Sequence, residues 1–380
     1  MTNGRISSTH PQLPPTTEEE RFLWLRLLRS RRVGPTTFHR LMKEHGSAAK
    51  ALEALPQIAR NAGVKNYEIC PEAVVHKELN AAKAVGAMLI FFGDALYPTE
   101  LYDLHDAPPF LWAQGATALL SRPKIALVGA RNASSLGTRI ARNLAAELGE
   151  KGQVIVSGLA RGIDAAAHDA ALNTGTIAIF AGGVDAIYPS ENTNLALQVK
   201  QNGLILSEQP MGMHPMARHF PTRNRIISGL APAVVVIEAA SKSGSLITAQ
   251  NALDQGRDVL AVPGHPFDSR AAGCNMLIRD GATLVRNASD VIETLTPIAE
   301  PDQQELPLTD APQPSTPRSL RETHELHKRI LDHLSPSPVA EDQLIRDLQA
   351  PSNQVAPILV DMELNGQIAR SAGGLLSRNG

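Results

Sequence analysis

The sequence predicts an α/β protein with a doubly wound, mostly parallel, Rossmann-like sheet at its centre. A small helical domain is expected before the sheet and a winged helix after it. Strand-like apolar runs alternate with helical segments between residues 87 and 295, and apolar residues at helical spacing flank this region on both sides. Short apolar runs bounded by turn residues are typical of strands that helices cover on both faces.

The predicted boundaries follow changes in composition. Pro297 to Pro317 contains six prolines and neither Lys nor Arg, which is typical of a flexible acidic linker. The expected segments are a disordered tail at 1–16, a helical domain of the SAM or helix-hairpin-helix type at 17–86, the sheet domain at 87–295, the linker at 296–318 and the winged helix at 319–380.

The helical domain has a Gly34-Pro35 turn between two amphipathic segments, and Arg21 to Lys43 contains seven basic residues and no acidic one. Backbone amides at a helix start can contact phosphate. The pattern therefore favours either weak DNA contact or a solvated face on a small bundle.

Six apolar runs predict the strands of the sheet domain, and ligands of such sheets bind beyond the carboxyl ends of the strands. The runs are Ile125–Gly129, Val154–Gly158, Ile177–Phe180, Leu204–Ser207, Val234–Ile237 and Val259–Val262.

The closing module should be three helices and a hairpin. Glu341 to Gly366 contains five acidic residues and only Arg346 as a basic one. A phosphate backbone would repel such a surface, so we expect this module to contact protein rather than DNA.

Composition narrows the class of protein. The net charge of −2 gives no global attraction to nucleic acid, so phosphate binding would depend on local patches. Cys70 and Cys274 are too few for a disulfide framework, which fits a reducing compartment. The first fifteen residues lack the apolar centre of a signal peptide, and no apolar run approaches a membrane span. A cytoplasmic protein without membrane contact is expected.

Arg218 to Gly229 is the most informative segment, because it places three arginines and Asn224 before a buried strand. Guanidinium groups bind two phosphate oxygens in one plane, so clustered arginines at a sheet edge indicate a ligand with several phosphates.

Gly129-Ala-Arg131 follows the first parallel strand, where a dinucleotide fold would carry Gly-x-Gly-x-x-Gly. Arg131 replaces the second glycine, and the next strand ends without a carboxylate, so NAD is disfavoured. Arg131 either supplies charge for phosphate or forms a surface ion pair.

Asp164 and His168 lie four residues apart and suit a metal pair or an acid–base dyad, although structural roles are favoured because a third ligand is lacking.

Tyr188 follows the third run of the sheet and either stacks on a base or packs as a Tyr-Pro turn. Lys242 and the hydroxyls after it could bind phosphate. The sequence has neither a Walker motif nor a Gly-x-Ser-x-Gly elbow, so neither an ATP motor nor that class of hydrolase is indicated.

In order and spacing these motifs resemble the DNA-processing protein A family (DprA, also called Smf) over nearly the whole chain. The motifs are Gly93–Pro98 with Asp106–Pro109, Val128–Arg131, Ser157–Asp164, Tyr188-Pro189 with Asn192, Phe220–Gly229 and Lys242–Thr248. The resemblance implies a Rossmann domain that binds single-stranded DNA without catalysis, cofactor or metal. It also implies a homodimer that protects incoming strands, including strands coated by single-strand-binding protein, and loads RecA during natural transformation.

The resemblance and the residue chemistry together predict one DNA groove. Its predicted residues are Gly129, Arg131, Ser157, Gly158, Arg161, Gly182, Tyr188, Asn192, Arg223, Asn224, Arg225 and Lys242. Many relatives carry a basic residue after Tyr-Pro, whereas this chain has Ser190-Glu191, which removes one expected phosphate contact.

Two alternatives remain open at this point. The first is an enzyme or sensor for a small nucleotide, similar to phosphoribohydrolases, but the Pro-Gly-Gly-x-Gly-Thr-x-x-Glu stretch of those enzymes is not matched by the segment from Glu238. The second is a scaffold that acts through the acidic winged helix.

Overall fold

The computed structural model describes residues 14–296, 320–335, 337–371 and 373–379. The chain divides into two compact units at Ile298. Most of the predicted tail and nearly all of the predicted linker lie outside the described residues, so both remain predictions, as do the domain boundaries.

Four helices open the first unit: α1 Glu18–Arg29, α2 Pro35–His45, α3 Ala48–Asn61 and α4 Glu72–Val85. Helix α1 begins at a capping box, in which Thr17 and Glu20 each accept a hydrogen bond from the other's backbone amide. Trp24 of α1 packs edge-on against Phe38, with ring centroids 5.0 Å apart, and against Phe91 of the sheet, at 6.0 Å. The helices and the sheet therefore share one hydrophobic core.

The first unit contains a nine-stranded sheet in the order β1-β2-β6-β5-β4-β3-β7-β8-β9. Its strands are β1 Met88–Phe91, β2 Phe110–Gly115, β3 Lys124–Gly129, β4 Val154–Ser157, β5 Thr176–Ile179, β6 Leu204–Ser207, β7 Ala233–Ile237, β8 Asp258–Ala261 and β9 Thr283–Leu284. The β1–β2 and β2–β6 pairs are antiparallel, and the other pairs are parallel. Each of the six predicted runs forms a strand to within one residue.

Both faces of the sheet are buried, as the continuous apolar runs predict. Along β3, Ile125 and Leu127 enter one hydrophobic cluster while Ala126 and Val128 enter the other. Successive strand residues point to opposite faces, so a strand with apolar residues at every position must be covered twice. The covering helices are α5 Ser135–Glu150, α6 Ile163–Ala170, α7 Thr193–Asn202, α8 His219–Gly229, α9 Gly244–Asp254, α10 Ala272–Arg279 and α11 Ala288–Leu295.

The second unit is a winged helix with its own core. It consists of α12 Leu320–His333, β10 Val339–Ala340, α13 Glu341–Leu348, α14 Ser352–Leu364, β11 Ile368–Ser371 and β12 Leu375–Arg378. Ile330, Leu348, Leu359 and Leu376 are fully buried in this core. The three helices and the β11–β12 hairpin confirm the predicted fold class of this module.

Within the described ranges, we find no helix of the length and apolar character that crossing a bilayer requires.

Candidate functional site

A cavity of about 590 Å³ lies at the carboxyl ends of β3 and β7, where the strand order reverses. Ligands of open α/β sheets bind in this crevice. The loop after β3, the beginning of α6, helix α8 and the beginning of α9 form its walls. The lining residues are Val128, Gly129, Arg131, Ala160, Asp164, Tyr188, Pro215, Ala217, Phe220, Pro221, Arg223, Asn224, Ile227, Ser243, Gly244, Ser245, Ile247 and Thr248.

Arg131 is an exposed residue in this lining. Its guanidinium carbon lies 4.9 Å from the centre of the Phe220 ring, which is cation–π geometry. Among the residues that the structure describes, this side chain stacks on an aromatic ring rather than joining an ion pair. The alternative of a surface ion pair is therefore not the arrangement observed, and the positive charge remains available to a ligand.

Arg223 is buried at the floor of the cavity and is engaged by the backbone. Its guanidinium donates to the carbonyl of Gly158 at 2.8 Å and also to the carbonyl of Ile179. Burial lowers the pKa of Arg223 to about 10, although the nearby Asp164 carboxylate acts in the opposite direction. The group therefore stays charged at neutral pH and gives the cavity floor a fixed positive charge.

Arg225 does not belong to this cavity, which corrects the expectation that both arginines of the Arg-Asn-Arg sequence face one ligand. The segment is helical, and residues two apart lie on different faces of a helix. Arg225 is buried, with its Nε 3.2 Å from the Asp106 carboxylate and its Nη2 bonded to Glu208. It therefore fixes α8 to the sheet instead of presenting its guanidinium to phosphate.

Asp164 orients the loop between β4 and α6. Its carboxylate accepts from the amides of Gly158 at 3.1 Å and Ala160 at 3.4 Å. Burial raises the pKa of Asp164, while the positive charge of Arg223 and the loop amides oppose this shift. The residue thus holds the loop that carries Arg161.

His168 has a structural role behind that loop. Its Nε2 accepts from the Leu159 amide at 3.3 Å, so Nδ1 carries the proton and donates to the Thr176 hydroxyl at 2.7 Å. Burial, together with the positive charge of Arg223, lowers the pKa of His168 to about 3, so the ring is neutral at pH 7. In the described parts of the chain, no three His, Cys, Asp or Glu residues are grouped as metal ligands.

Three further predicted residues support the loops of the site from inside. The Ser157 hydroxyl donates to the Leu127 carbonyl at 2.6 Å. The Asn192 side chain donates to the Leu159 carbonyl at 2.9 Å. Gly182 is buried against the backbone of the loop before α8, where a Cβ would overlap a carbonyl oxygen. These residues shape the crevice without facing the cavity.

Two glycines permit close backbone contacts at the strand ends. A Cβ on Gly129 would overlap the Ile237 carbonyl oxygen, so β3 and β7 can meet at the crevice only with glycine here. A Cβ on Gly158 would overlap the Arg223 guanidinium. The Gly158 amide donates to Asp164 and is therefore not a free phosphate donor.

The rim of the cavity carries the remaining predicted residues. Tyr188 is about half exposed, and its ring centroid lies 5.5 Å from that of Phe220. Arg161 is exposed and its Nη1 lies 3.6 Å from the Glu191 carboxylate. Lys242 is exposed on the turn before α9, next to the lining residue Ser243. Tyr188 and Phe220 together form an aromatic surface beside Arg131.

Sequence reasoning missed the role of Phe220 and the details of the α9 start. Aromatic residues make up only 4% of the chain, so one inside an arginine-rich segment was a usable signal. Ser243 caps α9 by accepting from the Ser245 amide, and both serines line the cavity with Gly244. A helix N-terminus that opens into a cavity favours an anion.

Family comparisons match this chain over all three of its parts. Residues 88–296 match the family described as DNA recombination-mediator protein A. Residues 18–81 match the DprA-like N-terminal HHH domain, and residues 314–374 match the DprA winged helix domain.

Curated relatives and solved structures agree with the family matches. DNA processing protein DprA of Bacillus subtilis is 44% identical over 220 residues, which are 57% of this chain and 74% of that protein. Protein Smf of Escherichia coli is 37% identical over 293 residues, which are 73% of this chain and 74% of that protein.

Two solved structures have a similar fold. DprA from Streptococcus pneumoniae is 39% identical, has a TM-score of 0.56 and shares 65% of this chain and 82% of its own. DprA from Helicobacter pylori, solved for its single-stranded DNA binding mode, is 33% identical, has a TM-score of 0.51 and shares 55% of this chain and 95% of its own. Because the family match covers more than half of its residues, the chain belongs to the DNA processing protein A (DprA) family.

Proposed function

We propose that this protein binds single-stranded DNA without sequence preference, protects it and loads RecA onto it, acting as a cytoplasmic homodimer in natural transformation and recombination. The observation that carries the DNA-binding part is Arg131, which is exposed, stacked on Phe220 and held at the ligand crevice of the sheet. The single-stranded DNA binding mode described for the Helicobacter pylori relative supports the same ligand.

Charge on the cavity walls suits a phosphodiester. Arg131 provides a guanidinium at the surface, and Arg223 adds a positive charge from the floor. The N-terminal end of α9 opens into the same space through Ser243, Gly244 and Ser245. Phosphate oxygens are favoured where guanidinium groups and helix amides converge.

The aromatic surface suits an unpaired base. Tyr188 and Phe220 lie side by side next to the Arg131 guanidinium. Every base has a π-face, so stacking of this kind tolerates any sequence and contributes about 1–3 kcal/mol per base. Bases of a duplex are already stacked on their neighbours, so we expect duplex DNA to bind less tightly.

Hydrolysis of a small nucleotide has little support from Asp164 and His168, the two residues that the sequence suggested as an acid–base dyad. The Asp164 carboxylate accepts hydrogen bonds from two loop amides. The His168 ring is neutral and buried, and both of its nitrogens form hydrogen bonds. Release of free base from nucleoside monophosphates would revive the enzyme hypothesis.

The recombination role is inferred from the family description and from DNA binding. A protein that holds a single strand by its phosphates can keep it accessible to a recombinase, and the acidic winged helix is suited to protein contact. Growth of RecA filaments on an oligonucleotide coated by single-strand-binding protein, with and without this protein, tests that role directly. Light scattering tests the homodimer.

DNA binding is tested by titrating a fluorescent oligo-dT at several salt concentrations. The logarithm of the affinity should fall with the logarithm of the salt concentration by about 0.7 for each phosphate engaged. Arg131→Ala should bind about tenfold or more weakly, with a slope smaller by about 0.7, because one phosphate contact and its stacking are lost.

Lys151→Ala is the matched control. Lys151 is exposed at the end of α5, just before the amino end of β4, and the cavity lies at the carboxyl ends of the strands. Its removal should therefore leave the affinity unchanged. Equal affinity of Arg131→Ala and the wild-type protein for oligo-dT would refute the site assignment. A wild-type affinity that does not change with salt concentration would refute phosphate recognition.

A further inference from the structure

Helix α5 is the first helix after β3, and β3 borders the point where the strand order of the sheet reverses. In dinucleotide-binding sheets, the helix N-terminus at this place binds the ligand's pyrophosphate. In this protein an internal carboxylate is bound there instead. The Ser134 amide donates to Glu238 Oε2 at 2.8 Å, and the Ser134 hydroxyl donates to Oε1.

The first turn of α5 is shaped around this carboxylate. A Cβ on Gly137 would overlap the Glu238 carboxylate, so the side chain lies directly against the helix backbone. The Ser134 hydroxyl in turn accepts from the Gly137 amide at 2.9 Å and caps the helix. The anion position at the start of α5 is therefore filled by the protein itself.

The backbone of Glu238 has an unusual conformation. Glu238 follows the last residue of β7 and has a φ of +52°, in the left-handed region that non-glycine residues rarely adopt. Such strain persists only where the surroundings fix it, and its presence at a ligand crevice points to a functional constraint.

Helix α9 provides the contrast on the other side of the crevice. Its first residues, Gly244 and Ser245, line the open cavity beside Arg131. One helix start at this crevice thus faces open space, while the other holds a carboxylate.

We propose that Glu238 determines the class of ligand that this crevice accepts. Its carboxylate occupies the place of a pyrophosphate and repels a second anion, so free pyrophosphate and nucleoside diphosphates are excluded from α5. A phosphodiester strand needs only the α9 side and Arg131, and it remains accepted. This inference deepens the proposed function by naming what the site rejects.

The experiment compares the wild-type protein with Glu238→Gln and Glu238→Ser, using inorganic pyrophosphate and ADP as probes in calorimetry and in competition with labelled oligo-dT. Removing the negative charge should make both probes bind at least tenfold more tightly than to the wild-type protein. The side chain of Glu238→Gln can still form hydrogen bonds with Ser134. This variant should therefore keep the fold even if Glu238→Ser does not. Glu150→Gln, at the other end of α5, makes the same charge change and should change nothing.

A Glu238 that serves only to support the fold predicts a lower melting temperature in the variants and no gain in pyrophosphate binding. Cooperatively unfolding variants that bind pyrophosphate no better than the wild-type protein would therefore overturn the proposal. Tight binding of pyrophosphate to the wild-type protein that persists in Arg131→Ala, and so does not use the α9 side, would overturn it as well. Failure of the wild-type protein to bind oligo-dT would instead count against the proposed function, since pyrophosphate binding is measured separately.

Discussion

Glu191 places a negative charge at a rim that otherwise favours phosphate. Its carboxylate lies 3.6 Å from Arg161, and both side chains are more than half exposed. Exposed ion pairs of this kind contribute only about 0–1 kcal/mol, because water screens them and their side chains lose entropy. The main effect of Glu191 is therefore on incoming phosphate. Its carboxylate repels the strand, and it pairs with the Arg161 guanidinium that would otherwise be available to a phosphate.

Glu191→Gln should consequently bind oligo-dT more tightly, by about two- to fivefold at low salt, which corresponds to the roughly 0.5–1 kcal/mol of an exposed pair. The salt slope should also increase by up to about 0.7, because Arg161 becomes free for one further phosphate. Fluorescence titration at several salt concentrations measures both quantities. An unchanged or weaker affinity would show that the strand does not pass Arg161.

The residue pairs of the site show what sequence alone could and could not predict. The position of Arg131 at the crevice could be predicted, because Arg131 follows the end of a predicted strand. The partners of Arg225 could not, because Asp106 belongs to the loop before β2 and Glu208 to the loop after β6. Such pairs form only when the sheet brings distant segments together. Clustered arginines in a sequence therefore do not imply clustered guanidinium groups.

At the scale of elements, helix α8 separates two tasks on two faces. One face carries Phe220 and Arg223 toward the cavity. The other carries Arg225 toward two carboxylates, and its end at Gly229 packs so closely on Leu101 and Leu104 that a Cβ would overlap them.

The apolar runs predicted the strands because burial on both faces leaves a clear pattern. The rotation of α8 about its axis was not predictable, since it depends on these tertiary contacts.

Arg225→Met should therefore act on stability rather than on phosphate contact. Removing the cation leaves the Asp106 and Glu208 carboxylates without their partner, and breaking a buried pair in this way costs about 3–5 kcal/mol. Urea unfolding should show a loss of that order for Arg225→Met and a change within about 0.5 kcal/mol for the exposed Arg131→Ala. A variant Arg225→Met as stable as the wild-type protein but unable to bind oligo-dT would show that Arg225 is a DNA ligand after all.

At the scale of the whole molecule, the cavity is built entirely from the first unit, and the winged helix offers little to a phosphate backbone. Helix α14, which includes Asp361 and Glu363, contains no Lys or Arg. Arg370 on the hairpin is held between Glu341 at 2.6 Å and Glu363 at 3.1 Å. Arg370 is thus already paired with carboxylates of its own module.

A chain that ends at Ile298 should therefore bind oligo-dT within about twofold of the full chain and with the same salt slope, because every proposed phosphate contact is retained. The first unit has its own hydrophobic core, so it should also unfold cooperatively. The same titrations on both chains provide the comparison, with circular dichroism as the control for folding. A well-folded shortened chain with a smaller salt slope would place phosphate contacts on the winged helix, contrary to its acidic character. An unchanged slope with lost RecA filament growth would assign this module to protein contact.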